Sequence, residues 1–196
     1  MFEGIHFKVA DEAERAQALR LRQAIYEAEL GYDPIDEFDE TAPQLIAIDG
    51  STELLAALRI LTPDQRPLEL ERFVDLSEVL PPGCAPGQIG ALWIRPDQRR
   101  VSSRALLPMA LLKLAYAFAR KRGITDLVLR TPVPALRRFY GRAFFRPLDH
   151  LGFRHPVCGF VHVMHLNLRA LEAERSRLQD PVARFLFLTE LPNIEV

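Results

Sequence analysis

Cysteine is almost missing from this sequence. Cys84 and Cys158 are its only two, too few and too far apart for the disulfide framework that staples small secreted domains, and too few for a four-ligand zinc site. A reducing cytoplasm is the expected compartment. Long apolar runs are missing too: none approaches the ~18–20 residues of a membrane-crossing helix. The opening Met1-Phe2-Glu3-Gly4 lacks the basic flank and apolar stretch of a secretory signal. The sequence has no repeat and no low-complexity segment. What is there is a chain of 196 residues, 48% apolar and 26% charged. That is enough for one core, read as a domain over residues 1–168 with a C-terminal helical extension over 169–196.

The net charge of −1 hides a lopsided distribution. Residues 1–94 carry 7 Lys/Arg against 18 Asp/Glu, residues 95–155 carry 14 against 3, and residues 156–196 carry 4 against 5. A basic middle suits an anionic ligand, and an acidic start suits a cationic one. The plainer alternative is that the two segments pack together and neutralise each other.

Periodicity gives the elements. Residues 4–10 alternate and read as a strand. Asp11, with Glu14 three residues later, starts a helix that runs to about Leu30 and stops at Gly31. Residues 31–43 form an acidic loop. Residues 44–49 and 53–61 are apolar strands joined as a hairpin at Asp49-Gly50-Ser51. Residues 68–76 hold a short strand or a turn. Residues 88–95 read as a buried strand, residues 102–122 as a long helix closed by Gly123, and residues 125–130 as another buried strand. A short helix over 134–142 and strands over 144–155 and 157–168 follow. Helical patterning from Arg169, broken by Pro181, ends in a tail. Leading hairpins and a later strand–helix–strand crossover define an α/β (α+β) fold with a mixed, twisted sheet flanked by helices.

A strand that runs through a loop into a helix makes an anion site, because free backbone N–H groups at the helix start face the ligand. Here Ile94-Arg95-Pro96 leads to Arg99-Arg100-Val101-Ser102-Ser103-Arg104-Ala105. This stretch resembles the pyrophosphate loop of the GNAT (Gcn5-related) N-acyltransferases, Gln/Arg-x-x-Gly-x-Gly/Ala. The register beginning at Arg100 fits best, with Ser103 in place of the first Gly. Coenzyme A or the phosphopantetheine of an acyl carrier protein is the donor group implied, held by Trp93, Ile94, Arg99, Arg100, Ser102, Ser103, Arg104 and Ala105. Absent glycines put Cβ atoms where a pyrophosphate would come close. Solvated arginines at a helix start are the other reading. Arg138-Phe139-Tyr140-Gly141-Arg142-Ala143-Phe144-Phe145 resembles the superfamily's Phe-Tyr-x-x-x-Gly-Phe segment, with Ala143 at the usual Gly. The resemblance implies that Tyr140 protonates the leaving thiolate; a core tyrosine is the alternative.

The first half carries a more specific set. Arg22, Tyr26, Tyr32, Asp36, Asp39, Arg59 and then Glu69-Leu70-Glu71-Arg72-Phe73 follow the spacing of the acyl-homoserine-lactone (autoinducer) synthases and long-chain N-acyl amino acid synthases, which share the GNAT fold. The loop from Tyr32 to Asp36 and the stretch from Arg59 to Glu69 are shorter than in autoinducer synthases, which favours an N-acyl amino acid synthase or a relative with another acceptor. The resemblance implies transfer of a fatty acyl group from a thioester, on acyl carrier protein or coenzyme A, to a small amine. Glu69 takes a proton from the amine, Arg72 and Tyr140 belong to the catalytic set, and Asp36 and Asp39 hold a cation or pair with Arg22 and Arg59. Tyr26, Tyr32, Phe139 and Phe144 line an acyl tunnel or belong to the core. Thr131 lies near the thioester.

Some features point elsewhere. His162 and His165 look like a metal pair, but residues three apart in a strand face opposite ways, so no metal is expected. His6, His150 and His155 read as surface or hydrogen-bonded residues. The arginines between 95 and 154 lack the aromatic interleaving of a nucleic-acid surface, so nucleic acid is not an expected partner. Short-chain acetylation and a non-catalytic ligand-binding domain remain as rivals.

Overall fold

Local signals set the first helix. Asp11 caps α1 (Glu12–Leu30): its carboxylate accepts from the Glu14 N–H at 2.9 Å, and Glu14 accepts from the Asp11 N–H at 2.9 Å. Two donors at the helix start are thereby satisfied. Gly31 ends the helix at φ 73°, in the left-handed region open to glycine. The computed structural model describes residues 2–50, 53–101, 106–132, 134–174 and 179–196. The hairpin residue Ser51 and the donor-loop residues Ser102, Ser103, Arg104 and Ala105 lie outside the described residues. Among the described residues no helix is long and apolar enough to cross a membrane.

The chain forms two compact units, Met1–Ile60 with Gly90–Phe118 and Glu190–Val196, and Leu61–Ile89 with Ala119–Thr189. In the first, β1 (Ile5–Val9), β2 (Gln44–Asp49) and β3 (Leu54–Leu61) pair antiparallel in sequence, with Ile5 opposite Asp49 and Gln44 opposite Arg59. The last residues add β8 (Ile194–Glu195), parallel to β1 with Phe7 opposite Ile194. α1 lays Ala18 and Ile25 over Ile46, Ile48, Leu54 and Ala57, and Trp93 joins that core. Of these, the fully buried Ile46 and Leu54 each contribute about 1.5–3 kcal/mol.

β4 (Pro86–Ile94) begins in the second unit. There it runs parallel to β5 (Asp126–Thr131), from Pro86 opposite Asp126 to Ile89 opposite Leu129, and the pairing stops. Gly87 is required at this point, because a Cβ would stand 2.9 Å from the Leu61 carbonyl and 3.0 Å from Ile124. β5 pairs antiparallel with β7 (Gly159–Asn167), and β7 with β6 (Arg146–His155). The sheet is therefore mixed, as expected, with eight strands among the described residues. Among the described residues the α-helices are α1, α2 (Leu107–Lys121), α3 (Pro134–Arg142), α4 (Leu168–Glu174) and α5 (Pro181–Phe187). The acidic loop carries a 3-10 turn at Glu37–Glu40, and the 68–76 stretch carries two, at Glu69–Arg72 and Leu76–Glu78.

One expectation is corrected by the backbone. The glycine position of the aromatic segment falls on Phe144, not Ala143. Phe144 has φ 69°, and the Phe145 N–H reaches back to the Tyr140 carbonyl at 3.1 Å, which closes α3. A left-handed non-glycine costs roughly 1–2 kcal/mol. The Phe144 ring meets Phe187 of α5 edge to face, 5.7 Å between centroids, an aromatic pair of the kind that offsets about 0.5–1.5 kcal/mol.

Candidate active site

Three groups of expected residues are brought into contact, each within its own unit. In the first unit, α1 carries Arg22 into the core at 0% exposure, and β3 carries Arg59 at 3%. The 3-10 turn supplies the acids. Asp36 accepts from the Phe38 N–H at 3.0 Å, and Asp39 Oδ2 accepts from the Asp36 N–H at 3.0 Å. Arg22 Nη2 donates to Asp39 Oδ2. Arg59 Nη1 stands 2.5 Å from Asp36 Oδ1 and 3.0 Å from Asp39 Oδ1, over the Phe38 ring. Burial pushes the Asp39 carboxyl up, but Arg59 and then Arg22 outweigh it and hold it below the usual carboxylate range. Two arginines thus meet two aspartates, as buried charges require. Arg22 Nε, Arg22 Nη1 and Gln44 Nε2 remain buried without a hydrogen-bond partner. Tyr26 donates its hydroxyl to the Leu92 carbonyl at 3.2 Å, and its ring meets Tyr32 at 5.8 Å.

The loop that follows β4 begins in the same unit. The indole of Trp93 belongs to the α1 core, and Ile94 offers its carbonyl to Arg99 Nε at 2.9 Å. Arg99 Nη1 also donates to both oxygens of Glu29, at 2.8 and 3.0 Å. Arg95 is held by Asp97 and Glu53, which raise its pKa, while Arg95 holds Asp97 well below the usual range. Arg100 is exposed.

In the second unit, Glu69 is 8% exposed. Its Oε1 accepts from Arg130 Nη2 at 2.6 Å, and its Oε2 accepts from Gln88 Nε2 at 3.0 Å. Gln88 Oε1 in turn accepts from the Leu70 N–H at 2.8 Å, which locks the turn that carries Glu69. Arg72 lies on the exposed side of that turn. Thr131, next along β5 from Arg130, is buried with its hydroxyl unpartnered. Tyr140 is buried between Phe139 at 5.2 Å and Phe145 at 5.9 Å. A buried carboxylate with oriented lone pairs, and a phenol in an apolar setting, are the groups that proton transfer to and from a thioester reaction needs.

No family model matches the sequence, and no curated protein sequence matches it. Solved structures resemble it in shape. FeeM, an N-acyl amino acid synthase from uncultured soil microbes, has a TM-score of 0.72 at 19% identity, over 92% of this chain and 96% of that one. BjaI, a CoA-dependent acyl-homoserine lactone synthase, has 0.62 at 18%, over 95% and 100%. A GCN5-related N-acetyltransferase from Kribbella flavida has 0.56 at 18%, over 84% and 98%. This chain has a GNAT fold.

Within that GNAT fold, two side chains around Glu69 escaped the sequence reading. Arg130 and Gln88 sit in strands whose other residues are mostly apolar. A charge or amide in a largely buried strand is the signal that marks them, since such a group needs a partner. His155, read from the sequence as a surface or hydrogen-bonded residue, accepts at Nδ1 from the N–H groups of Val157 and Cys158, each at 3.2 Å. His165, set aside as a metal ligand, bonds through Nε2 to Asp126 Oδ1 at 2.8 Å.

Proposed function

We propose that this protein is an N-acyltransferase that moves an acyl group from a thioester to the amine of a small molecule. One observation carries the reading: a buried Glu69, clamped between Gln88 and Arg130, on a Glu-x-x-Arg-Phe element of a GNAT fold. The amine arrives protonated. Glu69 attracts the ammonium and takes its proton, directly or through a water. The freed nitrogen attacks the thioester carbonyl, the C–S bond breaks, and Tyr140 protonates the departing thiolate. The second proton, shed by the nitrogen as it becomes an amide, restores the Tyr140 hydroxyl through water, and Glu69 returns its own proton to solvent. Arg72 stands on the Glu69 turn as part of this set. Ser102, Ser103, Arg104 and Ala105, with Arg99 and Arg100, hold the donor's phosphates, whether on coenzyme A or on a carrier protein. Arg22, Asp36, Asp39 and Arg59 build the acceptor side.

The fold likeness to FeeM, an N-acyl amino acid synthase, supports an amino acid acceptor; a long acyl chain is supported by the resemblance of the Arg22-to-Phe73 set to the long-chain N-acyl amino acid synthases. A short acyl group is the second reading, favoured by Phe139 and Phe144 being engaged with Tyr140 and Phe187.

The test is mass spectrometry of lipid extracts from cells overproducing the protein, against the Glu69→Gln, Tyr140→Phe double variant. A new long-chain amide or acyl lactone, lost in the variant, is the expected result and names the acceptor. Extracts identical to those of the variant would sink the long-chain reading. Coenzyme A binding then separates acetylation from a binding role.

A further inference from the structure

β4 changes character along its length. Its pairing with β5 ends at Ile89. Pro86 to Ile89 and Trp93 are buried, but Gly90, Ala91 and Leu92 between them are only half-buried. A side chain built on Gly90 would meet no atom of the described residues within 4 Å, so the backbone there is open to approach. Ala91 stands at φ 51°, in the left-handed region that is costly for a residue with a Cβ. The glycine before it is not left-handed. The strain therefore falls where the sequence does nothing to relieve it, and such strain persists only where the surroundings hold it.

A holding contact comes from α1. Tyr26 donates its hydroxyl at 3.2 Å to the carbonyl of Leu92, the residue after Ala91. The Tyr26 ring packs against the core that Trp93 joins and meets Tyr32 edge to face at 5.8 Å, so the hydroxyl is delivered from a fixed body. All of these residues belong to the first unit. We propose that Tyr26 is a positioning residue: its hydroxyl holds the Ala91–Leu92 backbone left-handed and keeps this open stretch of β4 in the shape that receives the acyl thioester. The part concerning the thioester rests on the acyl-transfer reading; the hold on the backbone does not. The strain and the bond are of comparable size, so losing the bond lets the strand relax in a large share of the molecules. A donor that binds only the left-handed form loses apparent affinity by that share, while the chemical step in the bound complex is unchanged.

Two arms test the proposal on the full chain. In the first, hydrogen–deuterium exchange is followed in the peptide over residues 89–95. Tyr26→Phe keeps the ring and removes the hydroxyl. It should speed exchange in that peptide about three- to ten-fold, the weight of one hydrogen bond, while peptides from α2 keep the parent's rate. Exchange equal to the parent's over 89–95 would overturn the hold. In the second arm, the donor and acceptor named by the extracts are titrated. Tyr26→Phe should raise the donor's KM about three- to ten-fold and leave kcat within about two-fold. Adding Ala91→Gly should restore the KM, because glycine takes φ 51° without strain. Loss of folded protein would instead lower kcat and leave the KM as it was. An unchanged donor KM would overturn the positioning role. So would a raised KM that Ala91→Gly does not restore, since that would mark a direct contact between the hydroxyl and the donor. If no extract holds a product, acyl transfer fails as a reading, and the exchange arm still decides the hold on the backbone.

Discussion

Glu29, in the last turn of α1, holds Arg99, the first arginine of the donor loop, through both of its carboxylate oxygens. On the proposed reading, a donor phosphate competes with this carboxylate for the same guanidinium. Both side chains are more than a third exposed, so the pair is worth only about 0.2–1 kcal/mol. Glu29→Gln should tighten coenzyme A about two- to five-fold, as read by titration calorimetry. Unchanged affinity would remove Arg99 from the phosphate site.

The cluster of Arg22, Asp36, Asp39 and Arg59 should be a point of fragility. Asp39→Asn leaves the fully buried Arg22 without its anion, and breaking such a pair costs about 3–5 kcal/mol. Urea unfolding measures it. Adding Arg22→Met should recover part of the loss, since the two residues share one interaction.

Asp39 also sets an acid limit. Its folded pKa lies below its unfolded value near ~3.9, so the ionised pair stabilises the fold above that value. The contribution is lost as pH falls through the folded pKa. The melting-temperature gap between the parent and Asp39→Asn should therefore be full at about pH 6 and narrow below about pH 4. A gap that is constant with pH would contradict the assignment.

Phe144 offers a test of the backbone at the end of α3. Both Phe144→Ala and Phe144→Gly lose the contact with Phe187, but only glycine accepts φ 69° freely. Phe144→Gly should therefore be more stable than Phe144→Ala by about 1 kcal/mol in chemical denaturation, although glycine is ordinarily the weaker helix neighbour. The reverse order would show that this residue is not left-handed.

Gly87 should tolerate no side chain. A methyl group there meets the Leu61 carbonyl and the Ile124 side chain, and Gly87→Ala should destabilise by about 1–3 kcal/mol. A melting temperature equal to the parent's would refute the close approach.

Most elements were legible because their signals are local. Asp11, Glu14 and Gly31 mark both ends of α1, and continuous apolar runs mark β2 and β3. The acidic and basic members of the first cluster were marked by their resemblance to the pattern of the autoinducer and N-acyl amino acid synthases; charge alone would not have singled them out in an acidic segment. Arg130 and Gln88 could not be assigned to Glu69, since they lie 61 and 19 residues away and only the sheet brings them together. The position of Phe144 was misread for a different reason. A left-handed turn is normally announced by glycine, and here an aromatic contact with α5 stands in for that signal. β8 is two residues long and has no pattern of its own; its partner defines it.

That short strand governs what the edge of β1 presents. The Phe7 N–H donates to the Asn193 carbonyl at 2.8 Å, and the Asn193 amide donates to the carbonyls of Ile5 and Phe2. Without Asn193 to Glu195, β1 would show a row of unsatisfied backbone groups, a template on which another chain could lay a strand. The last few residues act as a stopper on that template, so trimming them would trade a closed border for a surface that recruits its own kind.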